Sequence, residues 1–332
     1  MHNIPKRLNL ANLPTKIEKL HRLSEKLGGP NIYVKRDDQT GTEVAGNKIR
    51  KLEYTLHEAI SQGADTLITC GGIQSNHCRT TAAAAAKLGL KTKLVLRGQQ
   101  PAAPDGNLLL DVLFGADIHW VTPEEYRNRR NDIMTGLKEE LAQQERHAYI
   151  IPEGASNGIG AFGYYSAMEE IIQQEKEMGV QFDAVVMAVG SGGTYAGLLL
   201  AQKIFKTSHE IIGFNVSNDA EYFHRAIMKV LEDAEKHLES SVEICSKDIR
   251  IIDGYVGLGY AIGRPEERAF IKELAMLEGI VLDPVYTGKG FYGLTEEIKK
   301  GRLEHLNNIL FIHTGGLYGI FPQGKEFANL LP

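Results

Sequence analysis

Strand-sized apolar runs in this chain repeatedly give way to a glycine-rich loop and then to a segment with helical periodicity, and that alternation constrains the fold more than any other feature. Thr66–Cys70 leads into GGIQSN, then into a helix from about His77 to Leu88 and a strand at Lys91–Leu96. Asp183–Val189 leads into GSGGT, then a helix from about Tyr195 to Phe205 and a strand at Glu210–Val216. Between them fall a helix near Gly106–Phe114, a strand at Asp117–Val121, a charged amphipathic helix over Glu124–Gln144, a strand at Ala148–Pro152 and a helix over Gly160–Glu177. Helical patterning follows Asp219 to about Leu238, with a strand at Ile249–Ile252, a helix at Glu266–Glu278 and a late strand, Asn308–His313. Such alternation predicts an α/β fold with parallel sheets covered on both faces by helices. Ligands of such folds sit at the carboxyl ends of strands, where GGIQSN and GSGGT fall.

Length and composition narrow the class. A chain of 332 residues, 43% hydrophobic and 24% charged, builds a sizeable core in two domains or one large one. A net charge of −5 argues against a nucleic-acid partner or an anionic membrane surface. No apolar run reaches membrane-spanning length, and MHNIPKRLNLANLP has no apolar core of a signal peptide. Three cysteines, Cys70, Cys78 and Cys245, are too few for a disulfide framework and fit a reducing cytoplasm. No metal site is read from the sequence.

Six motifs carry chemistry. GSGGT, with Gly190, Ser191, Gly192, Gly193 and Thr194, opens a helix, and its freed N–H groups and helix dipole favour a phosphate. It is not a Walker A loop, since no Gly-Lys-Ser/Thr follows. It is a poor dinucleotide fingerprint, because Tyr195 takes the third glycine position, the glycine is displaced to Gly197, and IIGFNVS ends without an acid. GGIQSNH places Ser75 and Asn76 at a helix start; either one serves as an N-cap, or both turn polar groups toward a substrate carboxylate. Lys48 stands between Gly46-Asn47 and a helical run with apolar Ile49, Leu52 and Leu56, so it is held in place, whereas Lys51 reads as an ordinary charge. Tyr260 in GYVGLGY, Tyr286 in DPVYTGKG and Thr314 in HTGG lie beside glycines, which predicts partly exposed loops for the tyrosines and a strand-end hydroxyl for Thr314.

Taken in order, GNKIRKLEY, GGIQSNH, GSGGTYAG, DPVYTGKG and HTGG resemble the pyridoxal-phosphate enzymes of the tryptophan-synthase-β fold, over about Leu8 to Phe321. The closer resemblance is to the branch holding 1-aminocyclopropane-1-carboxylate (ACC) deaminase and D-cysteine desulfhydrase. The resemblance implies two domains, each a twisted, mostly parallel sheet flanked by helices, with 1–51 and 161–332 forming the larger, cofactor-binding one and 52–160 a smaller inserted one. It implies pyridoxal 5′-phosphate as cofactor, a small amino-acid substrate and a homodimer. Lys48 would form the Schiff base, Gly190 to Thr194 would bind the phosphate, and Asn76 would hydrogen-bond the 3′-oxygen. Ser75 would hold the substrate carboxylate with Asn76 and His77 alongside, Tyr286 would lie against the pyridine ring, Tyr260 would line the substrate side, and Thr314 would face the ring nitrogen. Lys48 and Tyr286 are both candidates for the α-proton base.

The deaminase branch carries a glutamate after the loop tyrosine and a leucine before the Gly-Gly pair; here those positions hold Thr287 and Thr314. A hydroxyl makes a weaker electron sink of the ring than a carboxylate does, which suits elimination of a good β-leaving group better than opening of a cyclopropane. The expected reaction is α,β-elimination of D-cysteine to pyruvate, hydrogen sulfide and ammonia. The rivals are an L-cysteate sulfo-lyase, a deaminase of β-chloro-D-alanine or D-serine, and an ACC deaminase. From other classes come a non-catalytic two-domain binding protein and an NAD-dependent oxidoreductase.

Overall fold

The computed structural model of the chain describes residues 4–259 and 261–330. The chain opens with β1 (Ile17–Lys19), α1 (His21–Leu27) and β2 (Asn31–Lys35), then α2 (Asn47–Ser61). A run of β3 (Thr66–Gly72), α3 (Asn76–Leu88), β4 (Lys91–Arg97), α4 (Gly106–Leu113), β5 (Asp117–Val121), α5 (Pro123–Ala142) and β6 (Ala148–Ile150) follows. The remainder is α6 (Gly158–Met178), β7 (Ala184–Val189), α7 (Gly193–Phe205), β8 (Glu210–Asn215), α8 (Ala220–Glu235), β9 (Arg250–Ile252), α9 (Pro265–Glu278), α10 (Thr287–Lys299) and β10 (Asn308–Ile312).

The strands form two sheets. Six, in the order β1-β2-β10-β7-β8-β9, make one sheet, parallel throughout except for the antiparallel β1 edge. Four, in the order β5-β4-β3-β6, make a second, wholly parallel sheet. The smaller sheet draws all its strands from residues 66–150, and the larger draws from both sides of that stretch. The expected cuts after residues 51 and 160 both fall inside helices, α2 and α6, which run on past them.

Each element follows from local chemistry. β7 reads AVVMAV and is buried along its whole length, as a strand covered on both faces must be. Its two faces meet separate cores: Val185, Met187 and Val189 pack with α6, α7 and α8, while Ala184 and Val186 pack with α1, α9 and α10. Thr122 and Glu125 close a reciprocal capping box at the start of α5, with Pro123 at the first helical position.

Three elements near the N-terminus, β1, α1 and β2, were not anticipated. They are short, and β2 earns its burial only by pairing with β10, more than 270 residues away. Tyr286 lies, as expected, in a partly exposed turn, where it is the N-cap residue of the 13-residue α10. Gly288 and Gly290 lie within that helix rather than breaking it, because a Cβ at Gly290 would stand 2.9 Å from the Cβ of Ala188 on β7. Close helix–sheet packing explains Gly290, and the approach of the Asp283 carbonyl and of Ile271 on α9, each 2.7 Å from a Cβ there, explains Gly288. Among the described residues no helix is long and apolar enough to cross a membrane.

Candidate active site

The carboxyl ends of β3, β6, β7 and β10 and the amino end of α2 converge on one cavity. It is lined by Asn47, Lys48, Ser75, Asn76, His77, Glu153, Gly154, Gly190, Ser191, Gly192, Thr194, Tyr286 and Thr314, among others. The motifs singled out in the sequence are thus brought together from positions 48 to 314. Gly193, the first residue of α7, stands just behind the lining, packed on Ser156. Tyr260 lies outside the described residues.

Lys48 is placed from three directions. Gly46 precedes it at φ +110°, and a Cβ there would stand 2.7 Å from the Thr314 carbonyl oxygen, so only glycine permits this approach. The Asn47 N–H donates to that same Thr314 oxygen at 3.1 Å, and Asn47 Nδ2 donates to Thr194 Oγ1 at 3.0 Å. One turn on, buried Arg50 donates to Asp37 at 2.8 and 2.9 Å and to Glu170 at 2.9 Å, while Tyr164 and Thr15 add their hydroxyls to Asp37. That buried, fully hydrogen-bonded ion cluster fastens α2 to β2 and α6.

Lys51 is not an ordinary charge. It is fully buried, and its amine donates to the Gly154 carbonyl and, at 3.3 Å, to Ser156 Oγ. The two lysines lie three residues apart on one helix face, with Lys51 fully buried and Lys48 half-buried where it lines the cavity. Burial pulls the Lys48 amine down to about 8, and burial together with the neighbouring Lys48 charge pulls Lys51 well below its ordinary value. The amines titrate as a pair, and a neutral amine is within reach near pH 8.

The phosphate loop has the geometry its glycines promise. Gly192 is left-handed at φ +87°, and α7 starts at the next residue with its N–H groups at the cavity. Ser156 Oγ donates to Ser191 Oγ at 2.8 Å. Gly154, at φ +71°, lets Ser191 and Lys48 meet: a Cβ there would stand 2.7 Å from Ser191 Oγ and 3.2 Å from Lys48 Nζ.

α3 begins at Asn76, and Ser75 caps it by accepting the Cys78 N–H at 3.2 Å. The cap leaves the Ser75 hydroxyl its own proton to donate. Asn76 Oδ1 accepts from Asn107 Nδ2 at 3.1 Å. His77 is buried; Thr69 donates its hydroxyl to the Ile151 carbonyl at 2.8 Å, so it accepts from His77 Nε2, also at 2.8 Å. That leaves His77 Nδ1 as a bare acceptor with no partner among the described residues. Burial first, then the charges of Lys48 and Lys51, hold this imidazole well below its ordinary value, so it is neutral at pH 7.

At the opposite wall the Tyr286 ring lies against Gly190, where an added Cβ would stand 2.8 Å from a ring carbon. His313 locks the HTGG turn: its Nε2 donates to the Val281 carbonyl at 3.0 Å, and its Nδ1 accepts the Gly315 N–H at 3.3 Å. Thr314 lines the cavity, but Thr287 does not. Thr287 is fully buried, with its hydroxyl donating to Asp283 Oδ1 at 2.7 Å. Asp283 in turn accepts the backbone N–H groups of Val285, Tyr286 and Thr287, which fixes the turn carrying Tyr286. The paired role expected of Thr287 and Thr314 therefore narrows to Thr314.

Sequence reasoning missed Asn47, Lys51, Glu153, Gly154 and His313. Asn47 was visible in GNK, and EGASN follows a strand and precedes a helix, the same signal that marked GSGGT. Glu153 is the one carboxylate among the described lining residues, 3.9 Å from Arg130 Nε.

The family model for the pyridoxal-phosphate dependent enzymes matches residues 8–315. A Thermotoga maritima protein provisionally named 1-aminocyclopropane-1-carboxylate deaminase is 43% identical, covering 97% of this chain and 100% of its own. An Arabidopsis thaliana protein named bifunctional D-cysteine desulfhydrase/1-aminocyclopropane-1-carboxylate deaminase, mitochondrial, is 41% identical, covering 97% and 81%. A Klebsiella pneumoniae protein named D-cysteine desulfhydrase is 41% identical, covering 95% of each. The solved structure of an ACC deaminase homologue superposes with a TM-score of 0.90 at 39% identity, over 98% of this chain and 97% of that one. An O-ureido-L-serine synthase at 16% identity and TM-score 0.67, over 92% and 90%, shares the fold.

Proposed function

Because the chain belongs to the family of pyridoxal-phosphate dependent enzymes, we propose that it is a lyase that eliminates sulfide from D-cysteine, consuming water and giving pyruvate, hydrogen sulfide and ammonia. The residues present fit the cofactor. The cavity offers a buried amine with lowered proton affinity, hydroxyls at Ser191 and Thr194 beside the N-terminus of α7, a carboxamide at Asn76 and a hydroxyl at Thr314. Gly154 keeps open the space between Lys48 and Ser191 that a side chain would fill. When bound, the cofactor withdraws electrons from the substrate's α-carbon and so loosens its α-proton and β-substituent.

Each residue then has a task. Lys48 attaches the cofactor through its amine, which its buried setting keeps close to the neutral form. Gly190 to Thr194, with α7 behind them and buried Lys51 alongside, receive the phosphate. Asn76 donates to the 3′-oxygen. Ser75 donates its hydroxyl proton to the substrate carboxylate, helped by the N-terminus of the 13-residue α3. His77, neutral and with Nδ1 bare, accepts a hydrogen bond rather than supplying charge. Tyr286 sets the ring plane from the wall formed with Gly190. Lys48 and Tyr286 are the two candidates that would take the α-proton. Tyr260 is assigned to the substrate side by the sequence alone.

Thr314 carries the choice of reaction. A hydroxyl at the HTGG end of the cavity supports a neutral ring nitrogen, and that weaker sink suffices when the β-substituent is a thiol. Among the described lining residues the basic side chains are Lys48, which the cofactor would take up, and neutral His77, and no arginine is present to receive a sulfonate, which argues against L-cysteate. Ring opening of ACC is the second reading, favoured by the names of the relatives at 41 to 43% identity. We further assign the enzyme to the cytoplasm, in keeping with the three free cysteines, and expect a homodimer. Pyruvate release from D-cysteine, L-cysteine, L-cysteate and D-serine, beside 2-oxobutyrate release from ACC, tests the assignment. D-cysteine turns over fastest if the reading holds; dominant 2-oxobutyrate release establishes the second reading instead.

A further inference from the structure

Behind Asn76 stand two side chains to which the reaction above gives no task. Arg79, three residues on in α3, is fully buried. Its Nε donates to Asn107 Oδ1 at 3.1 Å, and its terminal nitrogens donate to the carbonyls of Glu43 at 2.6 Å and Ala45 at 2.9 Å. Its guanidinium lies 5.2 Å over the Tyr318 ring. Asn107, in the first turn of α4 and fully buried, spends both protons of its amide nitrogen, one on the Gln74 carbonyl at 3.1 Å and one on Asn76 Oδ1 at 3.1 Å. Its backbone N–H donates to Gln74 Oε1 at 2.8 Å.

The polarity of this chain of amides is dictated by its far end. A guanidinium has donors and no acceptor, so the Asn107 group facing Arg79 must be the oxygen. The Asn107 nitrogen is thereby turned toward Asn76, and the Asn76 group facing it must be an oxygen. The Asn76 nitrogen is left to face the cavity as a donor. An asparagine alone could present either end to a ligand. Arg79 removes that choice from two residues away, and by holding Ala45 it also fixes the turn that leads into Gly46, Asn47 and Lys48.

We propose that Arg79 and Asn107 are positioning residues, a donor-only relay that fixes Asn76 with its N–H toward the cavity. This rests on the cofactor reading above, in which Asn76 donates to the 3′-oxygen, and it adds the reason why Asn76 donates rather than accepts. No catalytic contact is assigned to either residue.

Asn107→Asp is the discriminating variant. It is nearly isosteric and pairs with Arg79, but it cannot donate. Asn76 must then turn its N–H toward the new carboxylate and its oxygen toward the cavity. Equilibrium titration with pyridoxal phosphate, followed by visible absorbance, is expected to show binding at least about tenfold weaker, as for a charge-assisted hydrogen bond exchanged for a repulsion. The pH midpoint of the visible band is expected to rise, because the anionic oxygen loses its donor. The melting temperature of the cofactor-free protein is expected to fall somewhat, because the carboxylate also stands against the Gln74 carbonyl, so affinity is read well below the transition. In an Asn76→Ala background, Asn107→Asp is expected to change affinity by less than about twofold, the mark of two residues acting through one contact. Unchanged affinity and midpoint in Asn107→Asp, or an equal loss in the Asn76→Ala background, overturns the relay. Should Asn107→Asp fail to fold, Arg79→Lys and Arg79→Met replace it. Lysine, also donor-only, is expected to retain most of the affinity that methionine loses, and equal losses overturn the relay. A parent protein that acquires no visible band with pyridoxal phosphate, or a Lys48→Ala variant that keeps one, sinks the cofactor reading itself and is thereby told apart.

Discussion

Asn47 Nδ2 donates to Thr194 Oγ1 across 3.0 Å, joining positions 147 residues apart. The residue before the candidate Schiff-base lysine is thereby tied to the last residue of the phosphate loop, so amine and phosphate site are held at one separation. Asn47→Ala is expected to weaken pyridoxal-phosphate binding about threefold to tenfold, the worth of one neutral hydrogen bond. Equilibrium titration of the visible band reads this directly, and an unchanged dissociation constant refutes the tie.

Gly154 is required twice over, for its left-handed backbone and for the room it leaves. Gly154→Ala would place a methyl 2.7 Å from Ser191 Oγ and 3.2 Å from Lys48 Nζ. The variant is expected to lose most of its visible band and to unfold at lower temperature, by about 1–3 kcal/mol. A band of full height would show that the loop carrying Gly154 gives way without disturbing Lys48.

Thr287 and Thr314 separate stability from chemistry. Thr287→Val strips one donor from buried Asp283 and is expected to cost about 1–3 kcal/mol in thermal unfolding, with the ratio of D-cysteine to ACC turnover unchanged. Thr314→Leu leaves that network intact and is expected to lower D-cysteine turnover at constant melting temperature. Steady-state rates and calorimetry on both variants check the split. If Thr287→Val changes the substrate ratio instead, the narrowing to Thr314 is wrong.

Lys48 gives the cofactor-free protein a pH signature. Its amine releases its proton near 8 in the folded state and near 10.5 when unfolded. Between those values the unfolded chain binds the extra proton, so stability rises as pH increases from about 8 to 10.5, by about 3 kcal/mol from this group. Below pH 8 both states are protonated and the full burial penalty remains. Denaturant melts across that window are expected to show a shallower slope for Lys48→Met, though not a flat one, since buried Lys51 titrates with it. Identical slopes would place Lys48 in solvent.

Local sequence sufficed wherever one stretch of chain decides its own conformation. The strands β3, β5 and β7, the cap at Ser75, and the glycine turn before α7 were legible because apolar periodicity, a capping oxygen and a left-handed glycine act within a few residues. Recognition of Lys48 among 37 basic residues also began locally, from a glycine turn abutting a helix. What the sequence left open was decided by partners distant along the chain. Lys48 and Lys51 share a helix face; α6 and the Gly154 turn close over Lys51 and leave Lys48 half-buried at the cavity. Thr287 and Thr314 look alike as hydroxyls beside glycines, and Asp283 takes one of them out of the cavity. Asn76 could present either end of its amide, until Arg79 and Asn107 decide which. Desolvation and hydrogen-bond polarity depend on every group around an atom, and those neighbours come together only when the two sheets close on the cavity.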